Sequence, residues 1–508
     1  MSESLPTGKV YLVGAGPGDP GLLTLRGRDC LAQADVVLYD YLANPLILAH
    51  APSQAERICL GRHGGDRIWT QDEINARMLE LAQSGKTVVR LKGGDPAVFA
   101  HVADEFEALQ SAGIPYEVVP GITAALAASS YTGIPLTHAD VASAVAFVTG
   151  QEREGKAASA LDFTALAHFP GTLIFYMGVT TASHWTTALV LDGMHADTPA
   201  AIVLRCSLPD QEVVRCTLGT VPDELARRNA RPPAIVIVGK VVKYAPARNW
   251  FASRPLLGQR VMVTRPAGQG VDLMQQLTSL GAAVVVQPAI EIGLPDDWTP
   301  VDQSIAKLDS YDWLVFSSAN GVRHFLNRIW EKKGDLRALG KVKIAAIGPA
   351  TADELAHYRL RADLIPTEFR AESLAAELIK QTTGQRILLV RASRGRELLA
   401  DELRKAGRDV EQVVAYNNTD VERPEPQVVE LLRSGQIDWI TVTSSSIARS
   451  LVRMFGEELR QAKLASISPV TSAVLRESGF EPNAEAAVYT TEGVVEAILS
   501  RAGPAGGS

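Results

Sequence analysis

Residues 10–25, Val-Tyr-Leu-Val-Gly-Ala-Gly-Pro-Gly-Asp-Pro-Gly-Leu-Leu-Thr-Leu, constrain the fold most. The opening apolar run has the pattern of a buried parallel strand. A loop from Gly14 to Gly21 follows, and a helical pattern opens near Thr24. A glycine loop between a strand and a helix lets the main chain approach a ligand at the carboxyl edge of a parallel sheet. A dinucleotide fingerprint aims helix amides at a pyrophosphate. Here Pro17 and Pro20 remove donors and Asp19 repels phosphate, which argues against that reading.

The same strand-then-polar pattern recurs. Apolar runs at 36–39, 87–91 and 116–119 alternate with helical patterns, one of them opened by the capping box of Thr70 and Glu73. This predicts an α/β fold with a mostly parallel sheet. Directly after the runs stand Asp40, then Gly93-Gly94-Asp95-Pro96, then Pro120-Gly121-Ile122-Thr123. Four strand ends so equipped predict a shared ligand cleft rather than four plain turns. From about Leu136, strands at 144–149, 172–176, 200–204, 212–218 and 234–238 alternate with shorter helices, predicting a second, mixed lobe. A cleft between two lobes is a usual small-molecule site.

A chain of 508 residues has room for roughly three to four domains. With 46% apolar and 21% charged residues it has the composition of a globular protein, and no run is long enough to span a membrane. The first nine residues lack the pattern of a secretory signal. Cys30, Cys59, Cys206 and Cys216 form no Cys-x-x-Cys, so neither a metal site nor a disulfide framework is expected, and a reducing cytoplasm is. The net charge of −7, without a basic run, argues against nucleic acid as a partner. No membrane partner is expected either.

Read in order, Gly14-Ala15-Gly16-Pro17-Gly18-Asp19-Pro20, Tyr39-Asp40, Leu91-Lys92-Gly93-Gly94-Asp95-Pro96, Val119-Pro120-Gly121-Ile122-Thr123-Ala124, Gly133-Ile134-Pro135-Leu136-Thr137-His138 and Phe175-Tyr176-Met177-Gly178 resemble the uroporphyrinogen-III C-methyltransferases of the tetrapyrrole methylase family. The resemblance spans about residues 9–250. It implies S-adenosylmethionine as cofactor, with S-adenosylhomocysteine as its product. Pro17, Gly93, Gly94, Asp95, Val98, Thr123, Ala124, Met177 and Cys206 are the positions it implies for cofactor binding, and Asp40 is the acid–base residue. It also implies a homodimer through this half. Methyl transfer is an in-line displacement at a sulfonium carbon, so the protein mainly aligns the reactants, with a carboxylate to take the leaving proton.

Three positions depart from the family. Its catalytic lysine is Arg62 here, which does not release a proton near neutral pH and reads as an anchor for a substrate anion. Its Gly-Arg after Val98-Phe99 is Ala100-His101, and its arginine after Thr137-His138 is Ala139. Each lost charge-assisted pair is worth roughly 1.5–3 kcal/mol against an acid-rich substrate. His63, Arg67 and Lys92 are the cations that could compensate. The departures keep open an alternative in which this half binds S-adenosylmethionine as a sensor, or methylates another substrate.

Residues 244–257 are aperiodic and hold two prolines, the pattern of a linker. The β/α alternation then restarts with an internal repeat. Asp312-Trp313-Leu314-Val315-Phe316-Ser317-Ser318-Ala319-Asn320 parallels Asp438-Trp439-Ile440-Thr441-Val442-Thr443-Ser444-Ser445-Ser446. Ala346-Ile347-Gly348-Pro349-Ala350-Thr351 parallels Ser466-Ile467-Ser468-Pro469-Val470-Thr471, and Glu372 parallels Glu492. Each repeat puts hydroxyls where a strand becomes a helix, so Ser318, Ser444 and Thr471 are expected to cap helices and to help bind an anionic substrate.

Val263-Thr264-Arg265-Pro266, Ser317-Ser318-Ala319-Asn320-Gly321-Val322, Ile347-Gly348-Pro349, Val390-Arg391, Val414-Ala415-Tyr416 and Thr443-Ser444-Ser445 resemble uroporphyrinogen-III synthase over about residues 257–498. The resemblance implies closure of hydroxymethylbilane to uroporphyrinogen III with inversion of the last ring. Tyr416 would donate to the leaving hydroxyl, and Arg265 and Arg391 would anchor carboxylates. The expected layout is a methyltransferase over 1–243 (lobes 1–120 and 121–243), a linker over 244–257, and a synthase over 258–500. The synthase divides into one lobe of 258–287 with 423–500 and another of 288–422, and 501–508 form a disordered tail. Together the resemblances imply a bifunctional enzyme that makes uroporphyrinogen III and methylates it twice to precorrin-2, on the route to sirohaem and cobalamin.

Overall fold

The computed structural model describes residues 8–52, 54–61, 68–152, 159–247, 249–381, 385–395 and 397–502. Its contacts divide into two compact units. The first takes in residues up to Gln259 with Thr278–Ala283, and the second Arg260–Leu277 with the residues from Val284 on. Among the described residues no helix is long and apolar enough to cross a membrane.

In the first unit, β1 (Val10–Gly14), β2 (Val36–Tyr39), β3 (Glu56–Cys59), β4 (Val88–Lys92) and β5 (Tyr116–Val119) form a parallel sheet in the order β3-β2-β4-β1-β5. The interior strand β1 is buried throughout, as a strand covered on both faces requires. The sequence pattern does not show β3, because Glu-Arg-Ile-Cys is a half-exposed edge strand without an apolar run. All five strands run the same way, so the loops that follow them gather along one edge. A second sheet holds β6 (Val145–Thr149), β7 (Thr172–Tyr176), β8 (Pro199–Leu204), β9 (Glu212–Thr217) and β10 (Ala234–Val238), in the order β6-β7-β10-β8-β9. It is mixed, as expected: β6 and β7 are parallel and the remaining pairs antiparallel.

Residues 249–254, inside the expected linker, pack against the first unit. Trp250 Nε1 donates to the Ser130 carbonyl at 2.9 Å, and Asn249 Nδ2 to that of Thr132 at 3.2 Å. Phe251 is 1% exposed, with its ring centre 4.9 Å from that of Tyr131. The Arg254 guanidinium lies 4.7 Å from the ring centres of both Trp250 and Phe251. The aperiodic sequence hides this because three aromatic and amide side chains, not a regular element, make the attachment.

Among the described residues the second unit has ten strands: β11 (Arg260–Val263), β12 (Ala283–Val286), β13 (Ile290–Gly293), β14 (Trp313–Phe316), β15 (Lys343–Ala346), β16 (Arg386–Ala392), β17 (Asp409–Asp420), β18 (Trp439–Val442), β19 (Lys463–Ser466) and β20 (Ala484–Glu485). They form two sheets, β12-β11-β18-β19-β20 and β13-β17-β16-β14-β15. The repeat reaches single hydrogen bonds. Asp312 accepts from the Arg386 amide at 2.9 Å, and Asp438 from the Arg260 amide at 2.7 Å. Asp363 takes the Ile344 amide and Asn483 the Leu464 amide, each at 2.8 Å. In each lobe a short polar side chain ties a buried strand to its neighbour, so the two sequences converge on one pattern.

Removing residues 244–259 exposes the face that Phe251 and Trp250 cover. Burial of a large apolar side chain contributes about 1.5–3 kcal/mol. A chain ending at Gln259 is expected to melt about 5–10 °C above one ending at Lys243, measured by thermal unfolding of the two.

Candidate functional site

The loops gathered at the edge of the first sheet interlock through their main chains. Gly16 donates to the Gly94 carbonyl at 3.1 Å, and Gly94 donates back to Gly16 at 2.8 Å. A Cβ on Gly121 would stand 2.2 Å from the Gly94 oxygen and 2.7 Å from the Gly14 Cα, so the approach depends on glycine at both 14 and 121. Asp95 joins the loops, accepting from the Gly121 amide at 2.9 Å and from the Ala97 amide at 2.8 Å. Gly94 has φ +70°, and a Cβ there would meet only the Thr123 Cα, at 4.0 Å. Beside this backbone is open space that a ligand's polar groups can enter.

The second lobe meets these loops directly. The Asp19 amide donates to Ser207 Oγ at 3.0 Å, and its carboxylate takes the Tyr131 hydroxyl and the Gly21 amide, each at 2.8 Å. Tyr176 ends β7 with its hydroxyl 2.7 Å from Thr123 Oγ1, and it accepts from the Ala125 amide at 3.0 Å. It therefore satisfies the amino end of the helix Ala124–Thr132, where Thr123 makes no side-chain cap of its own. Met177, Arg205 and Ser207 hold left-handed backbone, with φ of 53°, 49° and 63°. Such strain in non-glycine residues persists where the surroundings over-determine it, and it clusters at ligand sites. Val98 packs against the core beneath, Pro17 is half-buried, and burial pushes the Cys206 thiol up to about 12.

Asp40 is held on both oxygens, by an Arg90 nitrogen at 2.7 Å and the Gly93 amide at 3.3 Å. Arg90 is 3% exposed and reaches Glu105, fully buried, at 3.2 Å; Lys92, 1% exposed, reaches the same oxygen at 2.6 Å. Burial, with Arg90 beside it, holds the Lys92 ammonium below the usual lysine range, and Glu105 opposes the fall. Lys92 is therefore corrected: it is engaged inside the protein and cannot replace a missing substrate arginine. His101 is exposed and lies 3.1 Å from Asp104. Arg62, His63 and Arg67 lie outside the described residues. Arg90, Glu105 and Tyr176 were not singled out from sequence. Two cations in a strand, Arg90 and Lys92, were the available signal, since a buried strand carries such residues only if they are paired.

In the second unit the two lobes flank a cleft of about 370 Å³. Arg265, Arg391, Tyr416 and Ser444 line it. Arg391 is engaged by the Glu397 carboxylate and by Gln412 at 3.1 Å, and Arg394 by Asp420 at 2.9 Å. Arg265 differs. Its Nε donates to the Gln269 carbonyl at 2.8 Å, and among the described residues it has no ion pair. Burial lowers its pKa, against weak opposition from Asp272 and Glu492. Tyr416, 5% exposed, has its hydroxyl 3.0 Å from Ser318 Oγ. Burial pushes the phenol up, and Ser318 and Asn320 draw it back. Ser318 and Ser444 cap their helices with nearly equal geometry, φ −169° and −167°. Thr471 is corrected as a binding candidate. It is 2% exposed with its hydroxyl on Ser468 at 3.2 Å, so its side chain is spent inside the turn.

The family profile for tetrapyrrole (corrin/porphyrin) methylases matches residues 9–222, and that for uroporphyrinogen-III synthase HemD matches residues 271–496. The porphyrin biosynthesis protein HemD of Ruminiclostridium josui is 36% identical over 446 residues, covering 88% of each chain. The chain belongs to this family, a tetrapyrrole methylase joined to a uroporphyrinogen-III synthase. A uroporphyrinogen-III C-methyltransferase of Bacillus subtilis (strain 168) is 37% identical over 352 residues, 69% of this chain and 72% of that one. A solved structure, uroporphyrin-III C-methyltransferase from Thermus thermophilus complexed with S-adenosyl homocysteine, is 40% identical. It covers 46% of this chain and 99% of its own, with a TM-score of 0.41.

Glu105→Ala leaves two buried cations without their shared counter-charge. It is expected to destabilise the protein by about 3–5 kcal/mol, while Asp104→Ala, on the same helix but exposed, changes stability by less than about 1 kcal/mol. Chemical denaturation of both variants checks this.

Proposed function

We propose that the second unit closes hydroxymethylbilane to uroporphyrinogen III with inversion of the last ring, and that the first methylates uroporphyrinogen III twice to precorrin-2. The chain is a bifunctional enzyme of tetrapyrrole biosynthesis. One observation carries the specific reading: two families whose reactions are consecutive lie on one chain.

S-adenosylmethionine supplies an electrophilic methyl group when bound to the first unit. The chain's own residues hold and orient. The open backbone at Gly93, Gly94 and Asp95, the helix start at Thr123 and Ala124, and Pro17, Val98, Met177 and Cys206 form the cofactor site. Asp40 accepts the proton released as the methylated pyrrole settles, and Arg90 with the Gly93 amide fixes its orientation. In the second unit the half-buried Arg265 guanidinium, which has no ion pair among the described residues, takes a substrate carboxylate as a charge-assisted pair. Arg391 and the hydroxyl of Ser444 line the same path. Tyr416 donates to the leaving hydroxyl, and Ser318 supports the phenol. The cleft then constrains the cationic chain while the last ring inverts. Pairing of two copies through the first unit and residence in the cytoplasm belong to the same proposal, and light scattering at twice the chain mass would support the dimer.

A second reading has the first unit bind S-adenosylmethionine without transferring its methyl. Ala100, His101 and Ala139 favour it, because the family's arginines are missing there and His101 is paired with Asp104.

The two activities are expected to separate by mutation. Asp40→Asn keeps ring closure and loses methylation by about a hundredfold or more. Arg265→Leu slows ring closure by about tenfold to a hundredfold and leaves methylation of supplied uroporphyrinogen III intact. Product masses and rates from each variant check both. Cofactor binding by the unmutated protein without any methyl transfer would establish the second reading instead.

A further inference from the structure

We infer that Gln269 and Asn320 are positioning residues for Tyr416, joined across the cleft so that the phenol is aimed when the two lobes meet. The inference rests on the reading of the second unit as the ring-closing enzyme.

Gln269 follows β11 in one lobe, and Asn320 sits in the first turn of the helix Ala319–Lys333 in the other. Their amides pair reciprocally: Gln269 Nε2 donates to Asn320 Oδ1 at 2.8 Å, and Asn320 Nδ2 donates to Gln269 Oε1 at 3.4 Å. Both residues line the cleft. Asn320 stands two residues from Ser318, the cap of the same helix, so the amide pair holds the turn from which Ser318 reaches the phenol. Ser318 Oγ accepts from the Gly321 amide at 3.0 Å and lies 3.0 Å from the Tyr416 oxygen. Tyr416 lines the cleft together with Gln269 and Asn320. His324, one turn beyond Asn320, lies along the ring with centres 5.7 Å apart and planes 15° apart. The ring is therefore held by its neighbour and the hydroxyl by Ser318.

Gln269 has a second connection. Its main-chain carbonyl takes Arg265 Nε at 2.8 Å. One residue thus touches both the Arg265 guanidinium and, through Asn320, the helix start that carries Ser318. A substrate carboxylate drawn to Arg265 would arrive beside the amide pair that sets Tyr416. Gln269 is only half-buried and Asn320 likewise, so neither is needed to fill the core.

A double-mutant cycle tests this with fresh hydroxymethylbilane as substrate. Gln269→Ala is expected to lower kcat for ring closure about threefold to tenfold, the range of one lost neutral hydrogen bond, with KM unchanged within about twofold. In the Tyr416→Phe background the same substitution is expected to cost nothing further, because there is no hydroxyl left to aim. Asn320→Ala should behave as Gln269→Ala does, and thermal unfolding confirms that the variants are folded. An undiminished kcat in Gln269→Ala, or a full additive loss in the Tyr416→Phe background, overturns the inference and leaves the synthase reading standing. Tyr416→Phe at the full rate removes the assigned role of Tyr416 and the inference with it. Failure of the unmutated protein to form the type III ring overturns the reading itself.

Discussion

Gly16 and Gly94 exchange two main-chain hydrogen bonds, and the loop edge of the first sheet is assembled on that contact. It joins the loop after β1 to the loop after β4, and both glycines hold positive φ, 73° and 70°. The loop after β5 comes closer still, since a Cβ on Gly121 would stand 2.2 Å from the Gly94 oxygen and 2.7 Å from the Gly14 Cα. Once the loops are locked, Asp95 is spent on two amides and Asp19 on a tyrosine and an amide, so both acids serve the scaffold. What remains exposed is backbone, which suits a ligand read by its polar outline more than by charge. Asp40 stands at the end of the neighbouring strand, and the buried Arg90–Glu105–Lys92 group fixes its surroundings.

The second unit solves a different problem with a repeated lobe. Two copies of a strand–serine–helix junction place capped helix starts at corresponding points of the two sheets. The copies then diverge. Ser318 faces Tyr416, whose strand belongs to its own lobe, and Asn320 next to it reaches Gln269 of the other lobe. Of the arginines along the cleft, Arg391 and Arg394 are ion-paired with acids, whereas Arg265 donates to the Gln269 carbonyl and has no ion pair among the described residues. The repeated scaffold thus carries an asymmetric set of side chains along the cleft.

Much of the architecture was legible in the sequence because it rests on local signals. The β/α alternation, the mixed second sheet and the internal repeat follow from apolar runs and from hydroxyls at strand ends. The edge strands β3 and β13 were not, since short half-exposed strands depend on a partner rather than on their own pattern. The attachment of Trp250 and Phe251 escaped for the same reason. The glycine loops and Tyr416 could be named from motifs, but their partners could not. Tyr176 caps a helix from 51 residues away, and Gln269 meets Asn320 across 51 residues. Lys92 and Thr471 look reactive as letters and are spent internally in three dimensions, which only packing reveals.

Closure and then methylation of the same tetrapyrrole by one chain is measured most directly by giving the purified protein fresh hydroxymethylbilane, with and without S-adenosylmethionine, and identifying the ring by isomer chromatography and mass. The type III ring alone is expected without the cofactor, and the same ring carrying two added methyl groups with it. Release of only the unflipped type I ring, at the rate of the reaction without protein, would contradict that expectation.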